Sequence, residues 1–208
     1  MCFHLSINSS KKNIEKKFDA SFELGYEFIP NQNLNGFSFP KIPVITNDNP
    51  KKIQFFNWGL IPHWIQNEEK ANSIKCKTLN ARSETLKEKP SFKNLIGKKH
   101  CIVIADGFYE WRHQHKNKIK HHIYIKNKKL FALAGVWDCW TNKLTGEIIN
   151  TFSIITQNAC GIMKYLHNSK LRQPIILNDL NISRWNQLND YSEILKNSKI
   201  ENIEFSVV

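Results

Sequence analysis

Short apolar runs set the pattern of this chain. Those at residues 40 to 46, 52 to 61, 100 to 109, 121 to 126, 130 to 137 and 148 to 156 have strand length, and turn signals such as Asn127-Lys128 and Asn142 to Gly146 separate several of them. Helical spacing is rarer. Ile14, Phe18 and Phe22 recur at steps of four between lysines and acids, which predicts an amphipathic helix over residues 11 to 25 that ends near Gly25. Helical patterns also span Ala159 to Leu166 and Leu180 to Leu188, the second with Asn178 or Asp179 as its N-cap. Strand-dominated sequence with a few inserted helices and no regular βαβ alternation predicts an α+β fold, mainly an antiparallel sheet folded around a core. No repeat, low-complexity tail or linker divides the 208 residues, so one domain is expected over 1–208.

Charge adds a partner class to that fold. The 30 Lys and Arg outnumber the 18 Asp and Glu, giving a formal charge of +12, which points to a polyanion with nucleic acid first. Lysine is spread throughout, so part of this charge is a solvated surface. Arginine is used sparingly, only as Arg82, Arg112, Arg172 and Arg184, which suggests sites that need a planar fork for phosphate or carboxylate.

No run of eighteen apolar residues exists, and the first residues form neither a basic n-region nor an apolar h-region, so no membrane span or secretory signal is expected. A cytoplasmic protein follows, nucleoid-associated when bound to DNA, and expected to be a monomer. The five cysteines are odd in number and lack C-x-x-C pairing, which argues against a disulfide framework or structural zinc. Cys76, Cys101, Cys139 and Cys160 are expected to be small core residues. His113 and His115 share a strand face, yet no acid or cysteine nearby completes a metal site. The lysine-rich stretch around His113, His115, His121 and His122 reads instead as a basic exposed hairpin facing DNA or solvent. Neither a metal nor a cofactor is expected.

Cys2 stands apart from the other cysteines. Removal of Met1 would leave an amine and a thiol on adjacent carbons, with unperturbed pKa values of roughly 7.7 and 8.5. Such a 1,2-aminothiol can condense with an aldehyde through nitrogen and close a five-membered ring through sulfur, which an internal cysteine cannot do. A buried first-strand cysteine is the plain alternative.

Four further segments place polar and aromatic residues at the ends of apolar runs, where sites tend to be built. They are Asn57-Trp58-Gly59-Leu60-Ile61-Pro62-His63-Trp64, Asn80-Ala81-Arg82-Ser83-Glu84-Thr85, Ala105-Asp106-Gly107-Phe108-Tyr109-Glu110-Trp111-Arg112, and His167-Asn168-Ser169-Lys170-Leu171-Arg172-Gln173-Pro174. With Cys2 and the Ala134-Gly135-Val136-Trp137 strand, they resemble, in order along the chain, the SRAP (SOS-response-associated peptidase) family, whose members covalently capture abasic sites in single-stranded DNA.

The resemblance implies that Cys2 is the mature N-terminus and bonds the C1′ aldehyde of a ring-opened abasic sugar, ending as a thiazolidine. It further implies that Asn80 orients the reacting centre, that Glu110 moves protons during imine formation and ring closure, and that His167 assists sugar-ring opening. Arg82 and Arg172 would hold phosphates, while Trp58, Pro62 and Trp64 would support or wedge bases. Many members begin Met-Cys-Gly-Arg. Here Phe3 and His4 replace the glycine and arginine, with His4 left to take over a phosphate contact more weakly. Gln173 stands where methionine is usual.

Plain readings accompany these roles. Asn80 can be a turn residue, His167 can interact with a helix dipole, and at least one tryptophan is expected in the core. An acid among aromatics is costly unless paired, and Arg112 is the expected structural partner of Glu110. Two other functions fit the same residues: an N-terminal-nucleophile cysteine peptidase, and a non-covalent single-stranded DNA-binding module.

Overall fold

The computed structural model describes residues 2–188, 191–197 and 202–208. Its strands are β1 (His4–Ile7), β2 (Ser21–Phe22), β3 (Asn31–Asn35), β4 (Lys41–Thr46), β5 (Lys52–Trp58), β6 (Asn80–Arg82), β7 (His100–Ala105), β8 (Gly107–Gln114), β9 (Asn117–Ile125), β10 (Phe131–Thr141), β11 (Ile148–Asn158), β12 (Arg172–Pro174), β13 (Ile176–Leu177) and β14 (Ile203–Val207). Five short helices accompany them: α1 (Lys11–Phe18), α2 (Glu68–Lys75), α3 (Ile162–Leu166), α4 (Asp179–Asn186) and α5 (Tyr191–Asn197).

Two sheets share the core. One has the order β14-β9-β8-β1-β3, and in the other β11, β10, β7, β4 and β5 form a closed ring, because β5 also pairs in parallel with β11. A mainly antiparallel α+β architecture with a small barrel results, as the apolar pattern predicts.

The run at 100 to 109 is two strands. Asp106 interrupts it, its amide donating to the Ser6 carbonyl at 3.0 Å, and the chain passes there from the barrel strand β7 to β8 of the other sheet. This corner sets β1, and with it the amino terminus, beside β8.

Two helices are shorter than their spacing predicts. Asp19 adopts a left-handed conformation (φ 49°, ψ 46°) that ends α1, and Phe22 lies in β2, paired with Ile53 and packed against Phe28 and Phe55. At 159 to 166 only Ile162–Leu166 is helical, because Gly161 has φ +50° and the Ala159 amide is bonded to the Leu171 carbonyl. α4 matches closely: Asn178 Oδ1 caps it by accepting from the Asn181 amide at 2.7 Å. Its Trp185 is buried, stacking on His100 at 4.0 Å and donating to the Cys101 carbonyl at 3.1 Å.

Of the four cysteines expected in the core, only Cys101 is buried; Cys76 is exposed, and Cys139 and Cys160 are half-buried. All five cysteines of the chain carry free thiols. No helix among the described residues is long and apolar enough to cross a membrane.

Candidate active site

Cys2 enters the core just ahead of β1 and is buried. Two contacts on neighbouring backbone hold it there. Asn80 Nδ2 donates to the Cys2 carbonyl at 2.9 Å, and the Gly36 amide donates to the Phe3 carbonyl at 2.8 Å. Gly36 admits this approach, because a Cβ there would lie 3.1 Å from the Trp58 ring and 3.2 Å from the Phe3 oxygen. Asn80 sits on β6, whose partner β11 places it opposite Ile154; with Ala81 buried between them, Asn80 and Arg82 share the other face. The Asn80 Oδ1 atom is buried without a hydrogen-bond partner, so a polar group awaits a donor beside Cys2. Burial raises the Cys2 thiol well above its ordinary value, and the Glu110 charge raises it further.

Glu110 and His167 meet nearby. Both are buried, and His167 Nδ1 lies 3.3 Å from Glu110 Oε1. β8 carries Glu110, and His167 follows the last turn of α3, its amide bonded to the Met163 carbonyl. The two elements are tied by a reciprocal pair, with the His113 amide donating to Asn168 Oδ1 at 2.9 Å and Asn168 Nδ2 donating to the His113 carbonyl at 2.8 Å.

His167 Nδ1 also lies 2.8 Å from the Arg172 carbonyl oxygen, which can only accept, so Nδ1 carries the proton and the lone pair of the neutral ring sits on Nε2. Burial lowers His167 to about 4, leaving it neutral at pH 7, and raises Glu110 to about 8. The expected Arg112 partnership is absent from this geometry. Arg112 instead lies over the Tyr165 ring at 4.0 Å and donates to Gln114 at 3.1 Å. Glu110 thus faces a neutral imidazole rather than a guanidinium.

Glu110 and His167 line a cleft of about 420 Å³ whose walls include Phe3, His4, Phe37, Trp111, Lys118 and Lys170. Phe37, 52% exposed, stacks obliquely on Phe3 at 4.8 Å, and Trp111 meets the His4 ring edge-on at 4.8 Å. Sequence reasoning missed Phe37 and Lys170 as cleft residues. Phe37 lies in a one-turn helix with no motif around it, whereas Trp111 and Lys170 fall within the quoted segments and Lys118 within the basic hairpin.

The residues expected to hold DNA divide sharply. Arg82 is exposed, and Trp64 is 47% exposed at the tip of a loop. Asp138 anchors that loop: its carboxylate accepts from the His63 amide at 2.8 Å and from Lys99 Nζ at 2.7 Å. Trp58 and Pro62 are buried. The Trp58 indole donates to the Leu79 carbonyl at 2.8 Å and leaves no face for a base, so it is the expected core tryptophan and not a stacking platform. Arg172 is corrected in the same way. It is 4% exposed, with a two-pronged bond to Glu84 (2.7 and 2.9 Å) and further bonds to Asn158 Oδ1 and the Thr156 carbonyl, and it has no surface for a phosphate. His4 is half-buried; burial lowers its pKa, a hydrogen bond to Asn33 opposes that, and the ring offers no fixed charge to phosphate. Gln173 is buried and accepts from the Cys160 amide at 2.9 Å, a packing role. Among the described residues no three His, Cys, Asp or Glu are grouped to hold a metal ion.

Comparison with known proteins agrees with this geometry. A family model described as SOS response associated peptidase (SRAP) matches residues 1–208. The abasic site processing protein YobE of Bacillus subtilis (strain 168) is 34% identical over 193 residues, spanning 89% of this chain and 81% of YobE. The abasic site processing protein HMCES of Gallus gallus is 36% identical over 148 residues, spanning 62% of this chain and 43% of HMCES. A crystal structure of a Bacteroides thetaiotaomicron protein superposes with a TM-score of 0.92 at 37% identity, covering all of this chain and 92% of that one. The gathered amide, carboxyl and imidazole and the match along the whole sequence lead to one conclusion: the chain belongs to the SRAP family.

Proposed function

We propose that this protein, acting as a monomer, processes abasic sites in single-stranded DNA by bonding them covalently through Cys2. The observation that carries the reading is a buried carboxyl and an imidazole, 3.3 Å apart, in the wall of a basic, aromatic-walled cleft, with the Glu110 charge acting on Cys2. The names of its relatives, abasic site processing proteins, support the substrate class.

The chemistry follows from the protonation states. Once Met1 is removed, the Cys2 nitrogen adds to the C1′ carbonyl carbon as the C=O π bond opens, giving a carbinolamine. Glu110, largely protonated at pH 7 because its pKa is about 8, gives a proton to the departing hydroxyl, which leaves as water. The sulfur then adds to the iminium carbon; its proton passes to the Glu110 carboxylate, and the C=N electron pair returns to the ring nitrogen, which keeps its one hydrogen. The sum is aldehyde plus aminothiol to thiazolidine plus one water, with no change of oxidation state. Before these steps, neutral His167 takes the proton of the C1′ hydroxyl on Nε2 as the C1′–O4′ bond breaks, and gives it to O4′. The unpartnered Asn80 Oδ1 accepts from the reacting nitrogen and orients it.

Incubation with single-stranded abasic DNA is expected to give a product that survives denaturing electrophoresis, and Cys2→Ala to abolish it. A Cys2→Ala protein that crosslinks like the wild type would overturn the reading.

A further inference from the structure

Strand β9 has two unlike faces. His121, Ile123 and Ile125 are buried, while the alternate residues Lys118, Lys120, His122 and Tyr124 lie on the outer side. Opposite them in register on β8 stand Trp111, facing Lys120, and Tyr109, facing His122. These side chains form one continuous row. Lys120 Nζ lies 5.7 Å from the Trp111 ring centre and 4.2 Å from that of Tyr109, the Tyr109 and His122 rings are 4.8 Å apart, and those of His122 and Tyr124 are 5.7 Å apart. Gly107 keeps the layer low, since a Cβ there would fall 2.0 Å from His122 Nε2. From Lys120 to Tyr124 the row follows roughly 13 Å of strand.

The row joins two hollows. At one end is the cleft of Glu110 and His167, which includes Trp111 and Lys118; at the other is a second cleft of about 400 Å³, lined in part by His122, Tyr124, Lys128 and Lys129. Lysine outnumbers acid along the way, with the Asp106 carboxylate and the carboxyl-terminal Val208 in the wall of the second cleft. The Asp106 carboxylate is taken up by the Ser6 hydroxyl at 2.7 Å and the Ser9 amide at 3.0 Å, and Glu204 pairs with Lys126 at 3.1 Å. Asp179 pairs with Lys17 and Lys128, while Lys118, Lys120 and Lys129 have no ion pair among the described residues.

We propose that this outer face is a track for the single strand, carrying it from the cleft of Glu110 and His167 across β8 and β9 to the Lys128–Lys129 end. Continuity with the cleft and the excess of lysine name the occupant, and the half-buried rings of Trp111, His122 and Tyr124 supply aromatic surface between phosphate contacts, the design that suits single strands of any sequence. Tyr109, covered by Lys120, serves as a spacer. The track rests on the reading of the cleft as a single-strand site, but its test does not need the covalent step.

Equilibrium binding of lesion-free strands of about 16 and about 4 nucleotides separates the two. Tyr124→Ala combined with Lys129→Glu is expected to weaken the longer strand about tenfold and leave the shorter one unchanged. Tyr124→Phe alone, which keeps the ring, should bind the longer strand about as tightly as the wild type. Replacing Lys128 and Lys129 by Ala should lower the salt slope for the longer strand by about 1.4, at about 0.7 per phosphate contact. Undiminished affinity for the longer strand, equal losses at both lengths, or duplex competing as well as single strand would each overturn the track. Failure of capture by Cys2 would show in the abasic assay and leave this one readable.

Discussion

Two carboxylate–base pairs in this molecule, one with a half-exposed carboxyl and one buried, have opposite fates. Glu84 meets Arg172 through two bonds of 2.7 and 2.9 Å, and although burial pushes its carboxyl up, the guanidinium outweighs that and holds it below the usual carboxylate range. Glu110 meets His167 at 3.3 Å, and there burial wins: the carboxyl rises to about 8 while the imidazole falls to about 4. The difference lies in the partner and in burial, since the Glu84 side chain is 41% exposed and that of Glu110 4%. A guanidinium cannot give up its charge, so its carboxylate stays ionised and the pair is a structural brace; an imidazole can, so both groups near Cys2 are neutral at pH 7 and each can still move a proton.

Arg172→Met is the strongest way to break the brace. It strips the half-exposed Glu84 carboxyl, Asn158 and the buried Thr156 carbonyl of their shared donor, and a loss of about 2 kcal/mol in denaturant unfolding is expected. A loss below about 1 kcal/mol, the range of an exposed pair, would show that the brace is ornamental. At the other pair, Glu110→Gln keeps the shape and removes the proton. Crosslinking is expected to slow about 100-fold, with lesion-free strand binding unchanged. Equal rates would mean that Glu110 handles no proton.

The pH dependence of stability sharpens the contrast. Glu110 keeps its proton in the folded state up to about 8 but releases it near the ordinary value of about 4.3 when unfolded, so its contribution is complete at low pH and declines as pH rises toward 8. His167 runs the other way, with a folded value of about 4, so stability linked to it grows from pH 4 to about 6.5. Between pH 6.5 and 8 only the Glu110 slope remains of these two. Unfolding measured across that window should show the wild type losing stability relative to Glu110→Gln, by at most about 1.4 kcal/mol per unit. Parallel curves would place Glu110 with Glu84 instead. The smallest effect concerns the core: Trp58→Phe, which removes the bond to the Leu79 carbonyl, is expected to cost about 1 kcal/mol and to leave strand binding intact, as a buried indole requires.

Much of this arrangement can be read along the sequence, and the failures have physical causes. Period-two runs such as residues 121 to 125 are strands because one face is buried, and Asn178 caps α4 because its side chain can reach the Asn181 amide. Phe22 is misread because two turns of helical spacing look the same whether or not Asp19 turns the backbone left-handed between them. The order of motifs brings Asn80, Glu110 and His167 to the amino terminus, but motif membership carries no burial: Trp58 and Arg172 belong to the segments of Trp64 and His167 and still face the core. Phe37 is silent in sequence because the cleft recruits it through the Gly36 contact with Phe3, a tertiary approach with no local pattern.

Intact mass spectrometry of the protein mixed with a single-stranded abasic oligonucleotide tests the central claim most directly. The spectrum should show a chain lacking Met1 and an adduct weighing the sum of that chain and the oligonucleotide less one water. A chain that has lost Met1, is folded, and gains no such mass would contradict it.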